Sequence, residues 1–158
     1  MSIQLSTLSE HPHEIEKIAQ WYFDEWAHTA PNMTQAMVAR KVTEKSIHRD
    51  QFPMALVAHQ QDQLAGVLEL KYRENKYYPQ YEHWVGGVFI DPSYRNQGIA
   101  SQLLLRAKQL AAKFGVTELY LQCESFNIAL YQKHGFKALH LAPHHDIETT
   151  IMVCEVTN

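Results

Sequence analysis

Residues Val88 to Leu104, VFIDPSYRNQGIASQLL, constrain the fold of this chain more than any other stretch. The apolar run Val88-Phe89-Ile90 meets Asp91-Pro92, then Gly98, and then Ile99, Leu103, Leu104, Ala107, Leu110, Ala111 and Phe114 at helical spacing. The pattern predicts a strand, a sharp turn and a Gly-containing loop that opens directly into an amphipathic helix, which Gly115 can close. Such a helix start aims unpaired N–H groups and the positive dipole end at the mouth of the strand. That place binds phosphate without a metal or a lysine. A glycine at a strand-to-helix turn can also be there for steric reasons alone. No G-x-G-x-x-G fingerprint and no Gly-Lys-Ser/Thr accompanies it, which excludes a dinucleotide fold and a P-loop.

The flanking sequence supplies the remaining elements. Residues 3–8 suit a short strand, and Pro12 suits the first turn of a helix with Ser9 or His11 near its cap. Ile15, Ile18, Ala19, Tyr22, Phe23 and Trp26 form that helix's apolar face, and Ala30-Pro31-Asn32 breaks it. Thr34 can cap a second helix carrying Met37, Val38 and Val42. Beyond Pro53 the period changes to strands over Met54–His59 and Leu64–Tyr72, joined by a Gln60–Gln63 turn. Residues 73–82 are polar and Tyr-rich and read as a mobile loop before a strand at Val85–Ile90. Leu119–Cys123 reads as a buried strand, Asn127–His134 as a short helix, and Phe136–Leu141 with Thr149–Val156 as a closing hairpin. Strand, helix and strand between 85 and 123 require a right-handed crossover and parallel pairing, whereas the hairpins pair antiparallel. The expected class is α+β (α/β in looser schemes), with a mixed, mostly antiparallel central sheet flanked by helices.

At 158 residues, one domain spanning 1–158 is expected. The net charge of −3 gives a nucleic-acid partner no electrostatic support. Apolar runs of only a few residues argue against a membrane span, and the N-terminus lacks the basic and long apolar regions of a signal peptide. Cys123 and Cys154 make neither a disulfide framework nor a zinc site, which points to a reducing, cytoplasmic setting. His140, His144, His145 and Asp146 match no zinc spacing, so no metal is expected.

A second segment gives the helix start its meaning. Arg95-Asn96-Gln97-Gly98-Ile99-Ala100, followed at the right distance by Ala129-Leu130-Tyr131-Gln132-Lys133-His134-Gly135-Phe136, resembles the GNAT superfamily of N-acetyltransferases. In that family, Arg/Gln-x-x-Gly-x-Gly/Ala marks the pyrophosphate loop and Ala-Leu-Tyr-x-x-x-Gly-Phe the end of the later helix. The resemblance is strongest over 84–136 and implies the acyl-CoA N-acyltransferase fold, with a parallel strand pair that splays apart and acetyl-CoA as donor substrate. It further implies that the backbone of Val88, Phe89 and Ile90 pairs with the pantetheine arm. The backbone of Arg95, Asn96, Gln97, Gly98, Ile99, Ala100 and Ser101 would then hold the diphosphate. Tyr131 would protonate the departing thiolate, and an amide near Val88 to Ile90 would face the developing oxyanion.

Read without the family, Tyr131 is first of all a core tyrosine satisfied by a backbone carbonyl, and the neighbouring motif is what turns the reading to an acid. Many members carry an asparagine seven residues before that tyrosine; here the position is Glu124, and Asn127 stands four before it as either cofactor ligand or helix cap.

The acceptor side carries no fixed motif. An ammonium must lose a proton before it attacks, and Glu82 and His83 are the leading base candidates, ahead of Glu69, Asp24 and Glu25. Cys123 reads as a strand residue, since direct attack needs no covalent enzyme intermediate. The Tyr77–Tyr81 loop, with Asp24, Glu25, Glu74 and Glu82, offers charge and cation–π contact to a cationic amine. The resulting expectation is an N-acetyltransferase acting on a small-molecule primary amine. A peptide or protein amine, a non-catalytic acyl-CoA-binding regulatory module, a nucleotide-binding regulatory domain and a homodimer stay open.

Overall fold

The computed structural model describes residues 2–144 and 147–156; His145 and Asp146 of the histidine-rich stretch lie outside them. Seven strands form one sheet in the order β1-β2-β3-β4-β5-β7-β6. They are β1 Gln4–Thr7, β2 Met54–Gln60, β3 Gln63–Tyr72, β4 His83–Ile90, β5 Glu118–Cys123, β6 Lys137–His144 and β7 Ile147–Glu155. Only β4 and β5 run parallel, at a single registered pair, Trp84 with Tyr120. The other neighbours are antiparallel. The sheet is therefore mixed and mostly antiparallel, as expected.

Strand periodicity divides the core between two faces. Met54, Leu56 and Ala58 of β2 pack with Leu68 and Leu70 under Leu103, Leu104 and Ala107 of α3 (Ile99–Lys113). The alternate residues Ala55 and Val57 pack with Val67 under Ile18, Ala19 and Trp21 of α1 (Ile15–Trp26) and Val42 of α2 (Gln35–Lys45). Thr34 caps α2 by accepting from the Met37 N–H at 3.2 Å, the bond its side chain favours at a helix start. Helix α4 (Ile128–Gln132) is shorter than the expected Asn127–His134, because Asn127 belongs to a 3₁₀ turn at Ser125–Asn127 and Lys133 and His134 fall in the turn before Gly135.

The segment 73–82 departs from expectation, since it is pinned rather than loose. Arg73 N–H donates to the Glu82 carbonyl at 2.7 Å. Asn75 is buried and donates to the Gln122 side chain at 3.1 Å. Tyr81 stacks on Tyr120 at 4.3 Å, and its hydroxyl meets His140 Nε2 at 2.9 Å. Two of its tyrosines, Tyr78 and Tyr81, are spent on an aromatic cluster around Trp84, while Tyr77 stays exposed.

Candidate active site at the splay of β4 and β5

Beyond Trp84 the two parallel strands part, and a bulge explains why. The β3–β4 register shifts between Val67 and Glu69, so that Val67 faces Phe89 while Glu69 faces Gly86. The extra residue leaves Gly87 at φ +57, a conformation that favours glycine. Its carbonyl accepts from the Tyr22 hydroxyl on α1 at 2.7 Å. Burial, with Glu69 adding to it, raises the Tyr22 pKa well above the ordinary tyrosine value, so this donor keeps its proton. Val88, Phe89 and Ile90 follow, each half-buried. Phe89 packs on Trp21 at 5.1 Å, while Val88 and Ile90 pack toward the α3 core.

The chain then turns at Pro92–Tyr94 and enters the loop Arg95–Gly98. The Asp91 carboxylate accepts from the Ser93 N–H at 2.8 Å and sets this turn. Arg95 Nε donates back to the Ile90 carbonyl at 2.9 Å, tying loop to strand. Asn96 at φ +63 and Gly98 at φ +78 bend the backbone round the start of α3. No side chain caps that helix, and a Cβ at Gly98 would meet nothing within 4 Å. Ile99, Ala100 and Ser101 form the first turn, whose N–H groups have no partner within the helix. The open cradle at a positive dipole end fits a diphosphate. Ser101 Oγ meets His134 Nε2 at 3.0 Å, joining α3 to the end of α4. Burial, with Lys108 and Lys133 nearby, holds His134 below its usual pKa and so neutral.

Tyr131 and Val88 line one cavity of about 330 Å³ at the splay. Tyr131 is buried, and burial with nearby Cys123 pushes its phenol up to about 12. Asn127 and Glu124 also line this space, and the Asn127 side chain makes no helix-capping bond. Cys123 lines it as well, its thiol pushed up to about 11 by burial and Glu124, which leaves it protonated and poorly nucleophilic.

Neither leading base candidate reaches the cavity. Glu82 pairs with Arg73 at 3.2 Å and accepts from the Tyr72 hydroxyl at 3.1 Å on the solvent side, and these hydrogen bonds lower its pKa. His83 sits between Phe52 and Tyr72, and burial lowers its pKa against the pull of Glu82. Asp24 is tied to Gln20 at 2.8 Å, and Tyr77, Tyr78 and Tyr81 are absent from the lining. Glu69, a secondary candidate, does reach it, as does Glu74.

The remaining walls were not marked as functional in sequence. Phe23, Trp26 and Met33 descend from α1 and the α1–α2 connection, and Lys71 rises from β3. The faint signal for them is a helix face wider than one core needs. Phe23 and Trp26 extend the apolar stripe past the residues the sheet buries.

The acetyltransferase (GNAT) family model matches residues 13–136. Among solved structures, a GNAT-family acetyltransferase from Streptococcus pneumoniae superposes with TM-score 0.72 at 17% identity, over 98% of this chain and 99% of that one. An aminoglycoside 6′-N-acetyltransferase complexed with coenzyme A gives 0.76 at 16%, over 100% and 98%. The PaiA N-acetyltransferase from Thermoplasma acidophilum, in complex with coenzyme A, gives 0.68 at 19%, over 98% and 99%. Identities this low carry the fold alone, and no curated protein sequence matches the chain. The parted strands, the open helix start and a family match over most of the sequence agree, and the chain belongs to the GNAT family of acetyltransferases.

Proposed function

We propose that this acetyltransferase, with acetyl-CoA as donor, moves the acetyl group to a primary amine of a small molecule by direct attack, with Tyr131 as general acid. The whole chain, 1–158, acts as one N-acetyltransferase domain. One observation carries the reading: Tyr131, the β4 residue Val88 and an acceptor-sized space share a single cavity where β4 and β5 part. In this reading the backbone of Val88–Ile90 holds the pantetheine arm as an added strand, and Arg95–Ser101 with Asn127 hold the rest of the donor. A β4 amide beside the bulge faces the oxygen on which charge develops. The thioester supplies the activated acetyl group.

Tyr131 then donates its proton to the sulfur as the C–S bond breaks. A phenol at about 12 stays protonated at every working pH, ready to donate but slow to leak its proton. Its folded pKa lies above the ordinary value, so the protonated form is fully present below pH 10 and is lost only as pH rises toward 12. Both cysteines are free and buried, in keeping with a reducing cytoplasmic setting. Among the described residues, no helix is long and apolar enough to cross a membrane.

The test is Tyr131→Phe, assayed by CoA release. Loss of a general acid predicts a fall in kcat of about 100-fold or more with KM for acetyl-CoA unchanged. The wild-type rate should also show no alkaline decline assignable to Tyr131 below about pH 10. An unchanged kcat in Tyr131→Phe sinks the acid role. Acetyl-CoA binding with no turnover across a broad amine panel supports the regulatory module instead.

A further inference from the structure

We propose that the acceptor is a monocationic primary amine with an apolar body of aromatic size and no carboxylate. The proposal rests on the small-amine transfer reading above and specifies its substrate.

The cavity has two chemically distinct sides. Phe23, Trp26, Met33 and Val38, from the two N-terminal helices and their connection, form an apolar wall. Opposite them stand Glu69 and Lys71 of β3 and Glu74 just past its end, and Glu124 closes the end near Tyr131. Among the described residues, every charged group of the lining is on this second side. An amine that fills the space must place its cation there and its body against the wall.

The backbone of β4 has been cleared to make room for those charges. A Cβ at Gly87 would come within 3.0 Å of the Glu69 carboxyl carbon, and a Cβ at Gly86 within 3.1 Å of the Lys71 stem. The carboxyl of Glu69 thus lies against the bulge itself, beside the residues that hold the thioester in the reading above. It is only 3% exposed. An ammonium paired with it sits where a nucleophile is needed and has an acceptor for the proton it must give up.

The same geometry argues against an anionic acceptor. Lys71 is the sole ammonium of the described lining, and it is already held by Glu74 at 2.9 Å and Glu69 at 3.5 Å. Burial pulls its pKa down, yet the two carboxylates outweigh burial and raise it, so it stays charged and committed to them. Lys45 approaches Glu69 at 3.9 Å from outside the lining. A substrate carboxylate would find no uncommitted cation and would confront Glu74 and Glu124. A long polycation fails for a different reason, since a chain that fills the cavity from the charged side to the wall carries its far ammonium onto Phe23, Trp26, Met33 and Val38, where nothing pairs it.

Four acceptors test this on the wild-type full chain with saturating acetyl-CoA, read by CoA release. They are 2-phenylethylamine, L-phenylalanine (the same body with a carboxylate), spermidine (a polycation) and ethanolamine (no apolar body). Because unpaired like charge costs several kcal/mol, kcat/KM for 2-phenylethylamine should exceed that for L-phenylalanine by about 100-fold. Loss of the buried ring should put ethanolamine lower by about tenfold or more. Glu69→Gln should raise KM for 2-phenylethylamine by about tenfold with KM for acetyl-CoA unchanged. Spermidine, L-phenylalanine or ethanolamine leading the panel overturns the acceptor class and leaves small-amine transfer standing. A panel silent throughout, although acetyl-CoA raises the melting temperature, overturns both. A Glu69→Gln variant with normal melting and unchanged amine KM removes Glu69 from the argument.

Discussion

Two glycines of left-handed backbone, Gly98 and Gly87, stand on the proposed donor and acceptor sides of the splay, and their surroundings are opposite. At Gly98 a Cβ would meet nothing within 4 Å; at Gly87 it would meet the Tyr22 hydroxyl at 2.6 Å and the Glu69 carboxyl carbon at 3.0 Å. The donor side is built from backbone turned toward empty space. The acceptor side is built from side chains that converge from α1, the α1–α2 connection, β3 and β5. A backbone cradle needs only a short contiguous stretch with the right turn residues. A side-chain cavity needs positions far apart in sequence, each of which also serves as core.

The comparison predicts unequal costs for the same change. Gly87→Ala forces a Cβ into Tyr22 and Glu69 and strains a positive φ. Strain and overpacking together should cost about 3 kcal/mol, read as a drop in melting temperature of about 10 °C. Activity should fall with it, whatever the acceptor. Gly98→Ala meets no neighbour, so only the backbone conformation is penalised, by about 1 kcal/mol. Its methyl enters the space assigned to the diphosphate, and KM for acetyl-CoA should rise by about tenfold with KM for the amine unchanged. Equal melting losses in the two variants would break the contrast between packed and open sides.

The same difference decides how much could be read from residues alone. The parallel pair and the α3 cradle follow from the strand–helix–strand pattern between 85 and 123, which folds locally. The splay of that pair was legible only through the family resemblance carried by Arg95–Ala100 and Ala129–Phe136. Glu82 and His83 drew attention by standing next to the strand expected at Val85–Ile90. Chain proximity gave no sign that Glu82 would pair across the hairpin with Arg73 or that His83 would pack on Phe52. The tyrosines at 77–81 looked like a lid for the same reason, yet Tyr81 stacks on Tyr120 of β5 and Tyr78 stacks on Tyr81, leaving only Tyr77 exposed. Phe23 and Trp26 fell on a helical apolar stripe, which local pattern cannot divide between core and cavity.

Tyr22 joins the two sides and gives a smaller, sharper test. Its hydroxyl holds the Gly87 carbonyl, and so fixes the bulge that parts β4 from β5, without lying on the donor loop. Tyr22→Phe keeps the ring packed and removes one buried hydrogen bond, worth about 1.4 kcal/mol, or tenfold. A positioning role predicts that this appears in kcat, with KM for acetyl-CoA within about twofold. A change confined to melting temperature would make the hydroxyl a fold stabiliser and nothing more.

The smallest effect belongs to the pair next to β4. Glu82 spends its carboxylate on Arg73 and Tyr72 at the surface, and an exposed pair of this kind contributes little. His83 has its ring against Phe52 and Tyr72, away from the residues that line the cavity. Glu82→Gln and His83→Asn should each leave kcat/KM within about twofold, since neither side chain lines the cavity and substitutions away from a site change free energies there by about 0.5 kcal/mol or less. The pH profile of kcat/KM should keep its acidic limb in both. If either substitution abolished that limb, the amine's proton would leave by a route outside the cavity, and the side-chain-built half of the site would extend round the edge of β4 to the Arg73–Glu82 pair.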